Sequence, residues 1–194
     1  MRLSDSALPV WNYFEGDTIR VVCYTNCPLS QLSLNGELVG PPKNHDDNTG
    51  IISWDIPFKP GKLLVVGSKE GKEAARFLIQ TSGRSHTIIA TSDKTNLSIS
   101  NDLAQITIQI VDQNGVEVML ADDEVTCSVS GPAHLLALES ASNTDMTNYR
   151  GNFHRVYHGR MMAYLQTTGD PGDVEVTFSA PWLNSGKVTL SVEK

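Results

Sequence analysis

The sequence predicts an all-β protein built from two β-sandwich modules in tandem. β-Branched and aromatic residues alternate with polar residues along most of the chain, turn residues separate these runs at short intervals, and neither half contains a convincing amphipathic helix. The length of 194 residues gives each half a size close to the roughly 100 residues of a single sandwich. A typical TIM barrel needs roughly 250 residues, so the length argues against that fold.

The first half is predicted to form strands joined by tight turns. Asn35-Gly36 follows an alternating run and is the strongest short hairpin signal, because a type I′ turn needs a positive φ at both central residues. Lys69–Leu78 has a helix-forming composition, but Gly71 and the alternation after it favour a hairpin. The predicted strands are Thr18–Thr25, Gln31–Leu34, Leu38–Val39, Trp54–Phe58, Lys62–Gly67 and Ala74–Gln80.

A polar, glycine-containing break at Thr81–Ser85 separates the two halves. We place the domain boundary there, with residues 1–82 in the first module and residues 83–194 in the second. The second half continues the strand pattern, as in the alternating isoleucines of Leu103–Val111. Its predicted strands are His86–Ala90, Leu103–Val111, Val125–Val129, His134–Leu138, His154–Thr167, Asp173–Ser179 and Lys187–Val192.

Charge and hydrophobicity exclude two classes of partner. Lys and Arg total 15 and Asp and Glu total 22, so the net charge is −7, which argues against binding to nucleic acid or to an anionic membrane surface. No run approaches the roughly 18 apolar residues of a spanning helix, so no membrane insertion is expected. The first residues lack the apolar core of a signal peptide. Either the protein is cytoplasmic, or Met1 begins a fragment whose export signal lies upstream.

The sequence predicts no metal site and no cofactor. The chain has three cysteines, Cys23, Cys27 and Cys127, and no two of them form a CxxC pair. They are expected to be small buried hydrophobes, and a disulfide bridge between two of them is the alternative. The acidic clusters Asp46-Asp47-Asn48 and Asp122-Asp123-Glu124 lack the spacing of a calcium loop, and solvated surface charge is the preferred interpretation.

No catalytic residue is predicted, because the chain contains no GxSxG, HExxH, GxGxxG or phosphate-binding glycine loop. The run from His154 to Arg160 is the most unusual polar segment. On a continuous strand His154, Val156 and His158 would share one face, and a self-sufficient enzyme would use His154, His158 and Arg160 for acid–base chemistry. A structural role for these side chains is the preferred interpretation.

Three tryptophans are candidates for carbohydrate binding. Trp11, Trp54 and Trp182 would offer flat indole faces on which the C–H faces of a sugar ring can pack. The competing interpretation is that tryptophans in a sandwich fill the core. Trp182 follows Pro181 in a predicted loop, which makes it the best candidate for exposure.

Several motifs of the first half resemble one module of bacterial β-galactosidases of glycoside hydrolase family 2, the module that follows the catalytic barrel. They correspond to an aromatic opening, a "VYTN" strand, an "LFLNG" hairpin and a "W-x-VPY-x-PG" step. The matching segments are Trp11-Asn12-Tyr13, Ile19–Cys27, Leu32–Gly40 and Trp54–Gly61.

The second half resembles the further C-terminal, immunoglobulin-like domain of the same family. Leu103–Gly115 is similar to its "LAfVtVevvDkdG" segment, Val129–Ala137 to its "v-GPg-llg" step, and Tyr157–Arg160 to its "fhGr" strand. The resemblance covers nearly the whole chain. It implies two immunoglobulin-like β-sandwich domains in tandem.

The family implies hydrolysis of a β-glycosidic bond with retention, which needs two glutamates roughly 5–5.5 Å apart. In the family these glutamates lie on the barrel, and nothing in this chain matches either of them. The resemblance therefore implies a non-catalytic C-terminal part that packs beside the catalytic and other domains of a parent hydrolase and shapes substrate access. The alternative is a carbohydrate-binding module with an oligosaccharide ligand. A periplasmic or extracellular bacterial parent is expected.

Overall fold

The computed structural model describes residues 8–194, and within this range the chain forms strands, turns and loops without a helix. No helix long and apolar enough to cross a membrane therefore occurs in the described range. The predicted all-β class is confirmed. The strands are β1 Thr18–Tyr24, β2 Leu29–Leu34, β3 Glu37–Leu38, β4 Lys43–Asn44, β5 Ile51–Pro57, β6 Lys62–Lys69, β7 Lys72–Gln80, β8 Thr87–Ser92, β9 Asn96–Ser98, β10 Leu103–Val111, β11 Glu124–Ser130, β12 Ala133–Glu139, β13 Phe153–Arg155, β14 Arg160–Thr167, β15 Gly172–Ser179 and β16 Gly186–Glu193.

The chain divides into two compact units, the first ending at Thr81 and the second beginning at Ser82. In the first unit β1 pairs antiparallel with β5, and a second sheet has the order β3-β2-β6-β7, with β4 also pairing with β2. The buried side chains of β5 are those of Ile52, Trp54 and Ile56. They alternate with exposed positions because successive side chains of a strand point to opposite faces.

Two tight turns of the first unit agree with the sequence analysis. Asn35 and Gly36 have φ values of 54° and 86°, the positive pair that a type I′ turn requires. Glu70 and Gly71 repeat this pattern with φ values of 54° and 72° and connect β6 to β7. The hairpin predicted for Lys69–Leu78 is confirmed, and the helical alternative is excluded.

The second unit is a sandwich of two sheets with the strand orders β12-β14-β10-β8 and β13-β11-β15-β16-β9. Its core lies between the sheets and includes Ile106, Ile108 and Ile110 of β10, all fully buried, with Val176 and Phe178 of β15 opposite them. Alternating apolar residues on both sheets therefore supply one continuous core, as expected for a β-sandwich.

The structure corrects the continuous strand predicted over His154–Thr167. β13 ends at Arg155, the chain reverses through His158 and Gly159 with φ values of 53° and 73°, and β14 begins in the other sheet. A Cβ atom at position 159 would lie 2.4 Å from the carbonyl oxygen of Val118, so this turn needs glycine. The prediction that His158 shares a strand face with His154 is wrong.

Asp112 organises the backbone at the beginning of the second unit. Its carboxylate is buried and accepts the backbone N–H groups of Gly83 at 2.7 Å, Asn114 at 2.8 Å and Val116 at 2.9 Å. Burial by itself would raise the pKa of Asp112, but these donors hold it below its usual value. The ionised carboxylate therefore ties Gly83 to the turn that follows β10.

The three cysteines are free thiols. Cys27 and Cys127 are buried, whereas Cys23 is partly exposed. Burial raises the pKa of Cys127 to about 12, so this thiol stays protonated and unreactive at neutral pH. Cys27 and Cys127 agree with the expectation of small buried hydrophobes, whereas Cys23 is only partly buried.

Candidate functional site

Trp11 lies in the core of the first unit with 1% of its surface exposed. Its indole N–H donates a hydrogen bond to the carbonyl oxygen of Lys59 at 3.0 Å. Its ring meets Tyr13 and Phe58 edge-on, with centroid distances of 5.9 and 5.2 Å. Such edge-to-face contacts are a favourable aromatic geometry. Trp11 therefore has a structural role.

Trp54 is also buried, with 3% of its surface exposed. The ammonium group of Lys43 lies 5.5 Å from its ring centroid, a cation–π distance. An indole covered in this way offers no face to a sugar ring. The burial of Trp11 and Trp54 removes both as binding platforms in this structure, because the core of the first unit uses them.

Trp182 has the opposite environment and is fully exposed. It follows Pro181 and has a φ of 68°, while the N–H of Leu183 points back to the carbonyl oxygen of Ala180 at 3.4 Å. A turn with proline second and a positive φ third normally carries glycine in the third position. Trp182 is the tryptophan whose indole is open to a ligand.

His154 is buried within a polar cluster that we call the loop anchor, formed with Asp145, Thr147 and Tyr149. Its Nδ1 lies 2.9 Å from the hydroxyl of Thr147, and its Nε2 lies 3.3 Å from a carboxylate oxygen of Asp145. Tyr149 meets the imidazole edge-on at 5.9 Å. The backbone N–H and the hydroxyl of Thr147 lower the pKa of Asp145. These contacts hold the loop between β12 and β13.

The other members of the polar run lie apart from this anchor. The rings of Tyr157 and His158 are in contact at a centroid distance of 3.8 Å, with an angle of 46° between their planes. Arg160 forms a two-point ion pair with Glu117, and the hydrogen bond to that carboxylate raises the pKa of Arg160. His154 and His158 do not converge on a common space, since a turn and a change of sheet separate them. The structural interpretation therefore describes this run better than acid–base catalysis.

A cavity of about 550 Å³ lies in the first unit between β1 and the inner face of β6 and β7. Its wall is mainly apolar, its charged members are Arg20 and Arg76, and it contains no carboxylate. A retaining glycosidase needs two carboxyl groups about 5–5.5 Å apart, so this cavity cannot carry out that reaction. Within residues 8–194 no group of three or more His, Cys, Asp and Glu side chains is placed to hold a metal ion.

Family models match both units. Residues 88–189, more than half of the chain, match glycoside hydrolase family 2 C-terminal domain 5. The chain belongs to this family. Residues 16–75 match a family described as a domain of unknown function, DUF4982. The resemblance to family 2 hydrolases inferred from the motifs is confirmed. The position of the first unit directly after a catalytic barrel stays a prediction.

Curated relatives of this family 2 chain are much longer than it. The β-galactosidase BoGH2A of Bacteroides ovatus is 26% identical over 188 residues, which is 96% of this chain and 22% of that protein. A β-glucuronidase of Formosa agariphila is 24% identical and is matched over 93% of this chain and 18% of its own length. The chain thus spans about a fifth of the curated relatives it matches.

Solved structures show the same arrangement of strands. A β-glycosidase from Bacteroides vulgatus is 31% identical with a TM-score of 0.89, covering 95% of this chain and 24% of its own. A family 2 member from Bacteroides cellulosilyticus is 25% identical with a TM-score of 0.90, covering 96% of this chain and 24% of its own. The family 2 chain therefore has the fold of the C-terminal part of these hydrolases.

The loop anchor is the main feature that sequence reasoning missed. His154 belongs to the most unusual polar segment of the sequence, but its partners Asp145 and Thr147 lie in a loop without periodicity. The one signal for it is the unusual polar run that begins at His154. No local pattern indicates which of these side chains are buried.

Proposed function

We propose that this chain is the non-catalytic C-terminal part of a family 2 glycoside hydrolase that acts on a β-galactoside or a β-glucuronide. The observation that carries the proposal is how much of each protein is aligned. The alignment with BoGH2A includes 96% of this chain but only 22% of BoGH2A. The cavity without a carboxylate supports the non-catalytic role. The substrate classes come from the names of the relatives, a β-galactosidase and a β-glucuronidase.

We further propose that the chain packs beside the catalytic part of its parent and shapes access to the substrate. The described residues include several large apolar side chains that are well exposed, among them Phe14, Leu38, Leu120 and Met146. Exposed apolar groups suit a region that is covered in a larger protein. The partner is then the remainder of the same polypeptide.

The purified chain is expected to hydrolyse neither a chromogenic β-galactoside nor a chromogenic β-glucuronide above the rate in buffer. The reason is that two carboxyl groups must flank the glycosidic bond, and the cavity provides none. The parent protein, assayed in parallel, is expected to cleave one of the two substrates. Turnover that stays with the purified chain through two unrelated chromatography steps would contradict the proposal.

Carbohydrate binding is the second candidate function, and the full exposure of Trp182 favours it. Calorimetric titration of the chain with galactosides and xylans at millimolar concentration is expected to give heat that disappears in Trp182→Ala. Tyr24→Ala is a matched control, since this exposed aromatic lies in the first unit. Absence of heat with every glycan, or the same heat in Trp182→Ala, would eliminate this function for Trp182.

A further inference from the structure

The two sheets of the second unit have outer faces of different composition. The outer side chains of the five-stranded sheet include six formal charges, and we call this surface the charged face. The outer side chains of the four-stranded sheet include two, and we call this surface the neutral face. The six charged residues are Glu124, Arg155, Asp173, Glu175, Lys187 and Glu193, and the two are Glu139 and Arg160.

Both charges of the neutral face are engaged locally. Arg160 pairs with Glu117 through two hydrogen bonds. The carboxylate of Glu139 accepts the hydroxyl of Tyr164 at 2.9 Å. Burial and this hydrogen bond together raise the pKa of Tyr164. Glu117 therefore neutralises Arg160, whereas Glu139 keeps its negative charge, because a tyrosine hydroxyl binds a carboxylate without neutralising it.

The remaining positions of the neutral face carry amides, hydroxyls and apolar groups. Along β10 they are Gln105, Thr107 and Gln109, and along β14 Met162, Tyr164 and Gln166. Ile89 and Thr91 of β8 and His134 and Ala137 of β12 extend it on both sides. The cores of protein–protein interfaces have few charged residues and are enriched in methionine and tyrosine, and the neutral face has this composition.

The register makes these side chains one continuous patch. Thr107 pairs with Met162, Met162 with Glu139, and Thr107 with Thr91 across the three strand pairs. Four strands spaced about 4.8 Å apart span about 14 Å, and seven residues of β10 span about 20 Å. The patch therefore covers about 280 Å², roughly a third of the 800 Å² that a standard interface buries on each side, so it is large enough for the centre of an interface but not for all of it.

We propose that the neutral face is the surface by which the second unit docks onto the remainder of its parent hydrolase. This inference rests on the proposed function, which supplies the occupant. About three quarters or more of BoGH2A and of the β-glycosidase from Bacteroides vulgatus lies outside the segment that this chain covers. Among the sheet residues of this face, only the Glu139 carboxylate carries a charge without an ion-pair partner. Such a face favours a partner surface made mostly of apolar and uncharged polar side chains, because a charged partner group away from Glu139 would lose its hydration there without a counter-charge.

Hydroxyl-radical footprinting of the isolated chain and of the intact parent protein tests this inference. Met162 and Tyr164 report on the neutral face, and Phe153, an exposed aromatic, reports on the charged face. Oxidation of Met162 and Tyr164 is expected to be several-fold slower in the parent than in the isolated chain. Oxidation of Phe153 is expected to proceed at the same rate in both.

The outcomes separate this inference from the proposed function. If Met162 and Tyr164 are oxidised equally fast in both proteins while other side chains of the chain are protected, the proposed packing stands and the neutral face is not the docking surface. Protection of Phe153 equal to that of Tyr164 also overturns the assignment to one face. If no side chain of the chain is protected in the parent, the proposed packing fails as well.

A pair of charge insertions provides an independent test in the parent protein. Gln105 lies exposed on an inner strand of the neutral face, and Ser128 lies exposed on an inner strand of the charged face. Gln105→Lys is expected to raise the oxidation of Met162 to the level of the isolated chain, whereas Ser128→Lys leaves its protection intact. Circular dichroism of both variants verifies folding. Full protection of Met162 in Gln105→Lys would overturn the inference.

Discussion

Replacing Trp11 with alanine is expected to destabilise the first unit by about 3–5 kcal/mol, the range for truncating a large buried aromatic. Trp11 is 1% exposed and packs edge-on against Phe58. Its loss also removes the hydrogen bond from the indole N–H to the Lys59 carbonyl. The measurement is the free energy of unfolding in urea, followed by the change in tryptophan fluorescence, to which Trp54 in the same core contributes.

Trp182→Ala is the matched control for this prediction. The same truncation at a fully exposed position is expected to change the free energy of unfolding by less than about 0.5 kcal/mol, as for most surface substitutions. Because the φ of 68° at this position favours glycine, Trp182→Gly is expected to be at least as stable as the alanine variant. Equal losses for Trp11→Ala and Trp182→Ala would show that the core is wrongly described.

Replacing Asp112 with alanine is expected to destabilise the second unit by about 2–4 kcal/mol, since hydrogen bonds to a charged group contribute about 1.5–3 kcal/mol each and exposed donors recover part of this from water. The carboxylate accepts three backbone N–H groups, including that of Gly83, and is buried. Thermal or urea unfolding of the second unit measures the loss. Asp122→Ala, at an exposed position before β11, is the control and is expected to have little effect.

The same residue predicts a pH dependence. The pKa of Asp112 is lowered in the folded chain, so its ionised form stabilises the fold, and this contribution is fully present above the unfolded value of about 3.9. It is lost as the pH falls through the lowered folded pKa. The difference in unfolding free energy between the wild type and Asp112→Ala is therefore expected to shrink below about pH 4. A difference that stays constant from pH 7 to pH 3 would contradict the role of the charge.

Local patterns in the sequence predicted most strands and turns correctly. Asn35-Gly36 forms the expected turn because its requirement for positive φ is a property of those two residues. The alternation of Ile106, Ile108 and Ile110 identifies the buried side of β10, because successive side chains of a strand point to opposite faces. The sequence does not reveal the break between β13 and β14, because Val156 continues the apolar alternation beyond the end of β13. The turn that follows needs glycine at position 159 because of the Val118 carbonyl, which is distant in the sequence.

The candidate site was less predictable than the fold. Residue type alone makes Trp11, Trp54 and Trp182 equal candidates for a carbohydrate-binding platform. In the structure the first two are buried and Trp182 is exposed. Burial of Trp11 depends on Lys59 and Phe58, which lie 47 or more positions further along the chain. No local pattern contains that information.

By itself the sequence determined the all-β class, the tight turns and the relationship to glycoside hydrolase family 2, because strand periodicity, turn residues and motif order are all recorded in consecutive residues. Tertiary structure alone decided which tryptophan is open, where the loop anchor around His154 forms, and that one sheet of the second unit has a neutral outer face. These properties depend on which strands become neighbours, and pairing between residues such as Thr107 and Met162 is set by the packing of the whole core.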